Sequence, residues 1–158
     1  MYCRAKLIFT SFLIMLFVAG CSSLLATNNQ KLAYKILEDY KWELVEAKNA
    51  DGQIISSLFI NSNKPLVLNF MSIDGAHTLA LENTCNKYLA DYQIKDNDVE
   101  LGSVASTLIA CPETLANFDL VAENIISGKY AVSKDTNHLS ILTITSPSYI
   151  AYFRAIAK

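Results

Sequence analysis

The chain lacks most of what an enzyme or a nucleic-acid binder needs. It has no Gly-x-Ser-x-Gly elbow, no Ser-x-x-Lys, no His-Glu-x-x-His and no phosphate loop, so the local signatures of common hydrolases, zinc proteases and nucleotide binders are missing. Histidine is scarce, with only His77 and His138 present. A cysteine nucleophile would need one of them as its base, and both fall near the edges of predicted strands, where surface histidines are common. There is no basic block either; 13 Lys and Arg stand against 15 Asp and Glu. Such a chain is poorly suited to nucleic acid or to adhesion to anionic lipid by charge. Internal repeats and low-complexity tracts are absent, which leaves one domain's worth of chain. The apolar run over residues 7–18, broken by Thr10 and Ser11, is about 12 residues long and too short to span a bilayer.

That run reads instead as part of a leader. Arg4 and Lys6 form a basic start, and Val18-Ala19-Gly20-Cys21 ends it. Residues 1–20 are therefore expected to be a signal peptide. Small residues just before a cysteine match the bacterial lipobox, in which Cys21 is acylated and the chain is cleaved ahead of it. The alternative is an ordinary secretory signal followed by a chance cysteine. Acyl chains contribute about 0.8 kcal/mol per buried methylene, so an acylated Cys21 is the expected membrane contact. Ser22 follows it where aspartate would favour inner-membrane retention, by likeness to sorted lipoproteins. The expected address is the bacterial envelope, anchored in the outer membrane and facing the periplasm. Removing Arg4 and Lys6 leaves 11 basic against 15 acidic residues, a net charge of −4.

Of four cysteines, Cys3 leaves with the leader and Cys21 takes the lipid. Cys85 and Cys111 remain, and in an oxidising compartment they most simply form a disulfide. Closing that loop restricts the unfolded chain by about 3–4 kcal/mol. A redox or metal role is the alternative. The spacing is far from Cys-x-x-Cys, and two thiols without a nearby His or Asp make an incomplete zinc site. No metal or cofactor is expected.

Residues 21–37 read as a lipid-anchored tether, with a possible short helix over 31–39 that puts Leu32, Ile36 and Tyr40 on one face. The domain is expected over 38–158. Strands are predicted at 40–48, around Trp42, and at 53–60, 66–73 and 78–82. Turn clusters separate them at Asn49-Ala50-Asp51-Gly52, at 61–65 and at Asp74-Gly75. Tyr88, Ala90, Tyr92 and Ile94 alternate against polar residues, and Asp96-Asn97-Asp98 turns the chain toward Val99 and Leu101. One long helix is expected from about 112 to 127. Pro112 suits its first position, Glu113 complements its dipole and Gly128 supplies a left-handed stop. Leu115, Phe118, Ala122, Ile125 and Ile126 form its apolar stripe. Closing strands are predicted at 130–133, 138–145 and 149–156. The sum is an α+β fold: a curved antiparallel sheet, an incomplete β-barrel, packed on one long α-helix.

Thr84-Cys85-Asn86-Lys87-Tyr88, Asp91-Tyr92, Thr107-Leu108-Ile109-Ala110-Cys111 and the helix after it together resemble the META domain, the family of HslJ-type heat-shock envelope proteins. The stretch 37–44, with Trp42 followed by Leu44, is similar to that family's opening strand. Thr84 and Ala90 stand where the family tends to have small residues or glycine. The resemblance implies a curved antiparallel sheet wrapped on a helix. It also implies an association with heat shock, aminocoumarin resistance, motility and secretion, and it brings no catalytic residue set.

Asp96, Asp98 and Glu100 have the spacing that opens a calcium loop, but Leu101 replaces the required glycine and Thr107 the bidentate glutamate. Trp42, Tyr88, Tyr92 and Phe118 are the candidates for an apolar ligand groove in an open barrel; the alternative is that they are core. The expected function is that of a non-catalytic lipoprotein that supports the envelope under stress by binding a protein or an apolar ligand. The second reading is an accessory or inhibitory factor for a protease or a secretion component.

Overall fold

The computed structural model describes residues 31–158, so the leader, Cys21 and most of the expected tether lie outside the described residues. In chain order the elements are α1 (Tyr34–Glu38), β1 (Lys41–Asn49), a 3-10 turn (Ser56–Leu58), β2 (Val67–Ile73), β3 (Ala76–Glu82), β4 (Tyr88–Lys95) and β5 (Asp98–Ser106). After them come α2 (Glu113–Ile125), β6 (Lys129–Lys134), β7 (Ser140–Thr145) and β8 (Tyr149–Ile156). The strands form one antiparallel sheet in the order β5-β4-β3-β2-β1-β8-β7-β6, curved into a half-barrel.

Two tight hairpins set the register of its first half. Asp74 and Gly75 have φ of 51° and 83°, and Asp96 and Asn97 have φ of 51° and 63°. Positive φ at both central residues is the turn geometry whose twist matches that of antiparallel strands. In β4 the expected alternation buries Tyr88, Ala90 and Tyr92 and exposes Leu89, Asp91 and Gln93. β1 is less regular for a reason. Trp42 and Leu44 point inward, a bulge at Val45 shifts the register, and Ala47 points inward again. The bulge turns the apolar Val45 out to solvent.

The concave face fills with the sheet's own side chains. Trp42, Phe70, Phe153, Leu68, Leu142 and Ile144 are fully buried there. At the seam, Asp98 Oδ1 accepts the N–H of Val99 at 2.9 Å and of Tyr130 at 2.8 Å. One side chain thus joins β5 to β6, the two edges of the sheet.

Five expectations are corrected. The long helix is short: α2 has 13 residues, about 20 Å at the usual rise. It closes part of the barrel's opening and does not form a layer beneath the whole sheet. Pro112 caps it in an extended conformation (φ −54°, ψ 146°) without entering it. Gly128 is no left-handed stop, since its φ is not positive. A Cβ there would lie 2.7 Å from the Thr145 carbonyl oxygen and 2.9 Å from Ile144 Cγ2. The glycine lets the chain pass against β7. The helix end is satisfied by tyrosines: Tyr130 Oη donates to the Ile126 carbonyl at 2.5 Å, and Tyr149 Oη sits 2.9 and 2.6 Å from those of Asn124 and Ser127.

The strand expected over 53–60 is a single bridge, Ile54 to Lys48, followed by the 3-10 turn. Asn49 explains this. Its Oδ1 accepts the N–H of Asp51 and Gln53 and folds the chain back on itself, and Leu58 then drops into the core. Lastly, residues 32–37, read as tether, are packed into the domain. Leu32 and Leu37 are buried, Leu32 N–H donates to Asn97 Oδ1 at 2.7 Å, and Trp42 Nε1 donates to the Leu37 carbonyl at 3.0 Å.

Candidate functional site

The residues with unusual chemistry gather at one end of the half-barrel. Cys85, in the β3–β4 loop, is bonded to Cys111, just before α2, with their Cα atoms 6.3 Å apart. Asp119, one turn and a half into α2, reaches back to this loop. It is 2% exposed. Its carboxylate accepts the N–H groups of Cys85 at 2.9 Å and Asn86 at 2.7 Å, with Asn86 Nδ2 at 3.3 Å. Asn86 Oδ1 in turn accepts the Ile109 N–H at 2.7 Å and the Thr107 hydroxyl at 3.1 Å. Thr107 Oγ1 accepts the Lys87 N–H at 3.0 Å. The buried charge is therefore held by hydrogen bonds from the same loop that the disulfide pins.

Asp119 also lies within 4.8 Å of both sulfurs. Bonded to each other, the sulfurs offer no thiolate, and the carboxylate is engaged by backbone amides. The cluster fixes a loop; it has no free ligand set.

Beside it lies an open groove of about 440 Å³, within the size range of ligand pockets. Ile60, Leu115 and Phe118 give it an apolar floor, Cys85 forms one wall, and Asn61, Lys64 and Asn83 stand at its rim. Past the disulfide the chain carries two exposed apolar residues, Leu108 at 96% and Ile109 at 58%.

The four residues expected to line a groove do not converge. Trp42, Tyr88, Tyr92 and Phe118 are all buried in the core. Phe118 reaches the 440 Å³ groove from beneath, and Tyr88 borders a shallower cleft on β3 and β4. Tyr92 packs edge-on against Phe70, with ring centroids 5.1 Å apart. The concave face is too fully occupied by these rings to leave a cleft among them. The groove that exists lies outside the sheet, between α2 and the 59–64 loop.

His77, expected near a strand edge, lies among the first, turn-side residues of β3. It stacks on Tyr34 at 3.7 Å and donates from Nδ1 to Glu38 Oε1 at 2.6 Å. Glu38 also accepts the Tyr92 hydroxyl at 2.7 Å. Burial first, then the Glu38 carboxylate, holds the Tyr92 hydroxyl well above the ordinary tyrosine range. This cluster docks α1 on the sheet. Its hydrogen bonds join residues 39 and 54 positions apart, and no local spacing betrays it. His138 sits in the β6–β7 turn with φ of 62°.

A half-barrel closed by a short helix, with a disulfide-pinned polar cluster at one end, is a defined type of small domain. The META domain family model matches residues 35–154. The chain belongs to the META domain family. Its fold is also similar to that of a solved protein from Burkholderia xenovorans, described as an NMR structure (TM-score 0.65, 19% identity, 82% of this chain and 90% of that one). At that identity the likeness concerns the fold alone. No curated protein matches the chain.

Proposed function

We propose that the protein is a non-catalytic lipoprotein of the bacterial envelope, held at the outer membrane through acylated Cys21 and facing the periplasm. It supports the envelope under stress by binding a protein segment or an apolar molecule. The observation that carries this reading is the groove floored by Ile60, Leu115 and Phe118 beside the Cys85–Cys111 bond. An apolar floor with a few polar groups at the rim suits ligand binding, and the association of META domains with the envelope agrees with it. A second reading, an accessory or inhibitory factor for a protease or secretion component, is favoured by the exposed Leu108 and Ile109, which suit a protein surface.

The test combines native mass spectrometry of the acylated protein with a crosslinked pull-down from envelope extracts, each repeated with Leu115→Lys. Retained lipid, or one specific partner, that is lost in the folded Leu115→Lys protein supports the groove. Retention unchanged by the substitution overturns it. Recovery of bulk lipid alone removes the accessory-factor reading. A hydrolytic activity abolished by His77→Ala or His138→Ala would replace both.

A further inference from the structure

The two edges of the sheet are protected unequally. β6 carries Lys129 and Lys134 at its ends, the charged residues that discourage pairing with another strand. β5 carries nothing of the kind in its second half. From Leu101 to Pro112 there is no charged residue, and residues 102–110 are all exposed. β5 leaves the seam at a bulge, where Gly102 and Ser103 face the single residue Asp91.

Beyond that bulge the register shows which backbone groups are open. Thr107 N–H donates to the Lys87 carbonyl at 3.1 Å. Leu89 and Ala105 are then the hydrogen-bonded pair, and Val104 and Ser106, opposite Ala90 and Tyr88, turn their N–H and C=O groups away from β4. Those groups face solvent along an extended, uncharged edge.

We propose that the second half of β5 is a strand-addition site for an extended, uncharged segment of another polypeptide. The ladder of Val104 and Ser106 accepts its backbone, while Leu89 and Val104 on the strands and Leu108 and Ile109 beyond them favour apolar side chains over charged ones. Burying a charged side chain against these apolar residues costs its hydration, and no charge on the edge offsets that cost, so selection falls on neutral segments. A second copy of this chain is a poorer occupant. It would bring nine exposed residues, 102–110, to the contact, against about 20–30 per side in a stable interface. One flexible segment needs only a short, exchanging contact. This site lies apart from the groove at Leu115, so the two can fail separately.

The experiment uses the full acylated chain in detergent and an eight-residue, end-capped peptide of alternating valine and threonine. A second peptide of the same sequence carries N-methyl groups on alternate amides, placed to face β5. Hydrogen exchange resolves individual amides, and the expected result is exchange at Val104 and Ser106 slowed by at least about tenfold by the first peptide. The methylated peptide binds at least about tenfold more weakly. Val104→Pro removes an N–H that β4 does not use and abolishes the effect, while Leu115→Lys leaves it in place. Equal binding of both peptides, no binding, or protection of the same amides by self-association of the chain without peptide each overturns the proposal.

Discussion

Replacing Asp119 by alanine separates the contribution of the buried carboxylate from that of the disulfide beside it. The carboxylate is 2% exposed and accepts two backbone N–H groups at 2.7 and 2.9 Å. Hydrogen bonds to a charged partner contribute about 1.5–3 kcal/mol each, and an abandoned buried donor costs about 1–3 kcal/mol. Discounting for water entering the space, Asp119→Ala is expected to lose about 3–5 kcal/mol. A domain of this size has about 5–15 kcal/mol in all. Asp119→Asn keeps the shape and one acceptor oxygen but turns an amide donor toward the other N–H, and should lose about 2 kcal/mol. Urea denaturation with the disulfide intact measures both, through a shifted midpoint at constant slope. The Cys85→Ala/Cys111→Ala protein, itself about 3.5 kcal/mol less stable by loop closure across 26 residues, supplies the control. In it the Asp119→Ala loss should shrink, because the Cys85–Asn86 amides are no longer held against the helix. A loss below about 1 kcal/mol, or equal losses in both backgrounds, would refute the coupling of charge and crosslink.

Two further outcomes follow from the packing. Gly128→Ala places a methyl against the Thr145 carbonyl and Ile144 and should cost about 1–3 kcal/mol by overpacking; a neutral result in thermal melting would mean that β6 and β7 separate easily. Burial holds the hydroxyls of Tyr130 and Tyr92 above their ordinary range. A group whose folded value is raised contributes stability below its unfolded value, and that contribution is lost as pH rises. Stability should therefore fall above about pH 10, by about 1.4 kcal/mol per pH unit for each such tyrosine. Tyrosinate absorbance from this pair should appear only with unfolding; its appearance in the folded protein would contradict the burial.

Much of the sheet was legible because its information is local. Asp74-Gly75 and Asp96-Asn97 carry their turn geometry in two residues, and the alternation of Tyr88, Ala90 and Tyr92 carries the burial of β4. The two late cysteines were legible as a pair by elimination. What was not legible depends on residues far apart. An aspartate on the buried face of α2 breaks an apolar stripe, and nothing near position 119 tells that its partners are the amides of Cys85 and Asn86. Gly128 was read by its place after a helix, yet its reason is the β7 backbone opposite. Residues 53–60 have strand-like composition, but the single side chain of Asn49 captures the amides that would begin the strand. Trp42, Tyr88, Tyr92 and Phe118 carry no sign in the sequence of which side they face; the curvature of the sheet buries them in the core, with Tyr88, Tyr92 and Phe118 only edging separate clefts.

The placement of β8 between β1 and β7 has a consequence for the timing of folding. β8 leaves the ribosome after β1 to β7, and it is the neighbour of the first of them. Until residues 149–156 have emerged, the strand bearing Trp42 has one free flank, and β7 lacks one of its two ladder partners. A nascent chain must therefore wait for β8 before the sheet can close, and a stop codon just before Tyr149 would leave β1 and β7 without the strand that lies between them.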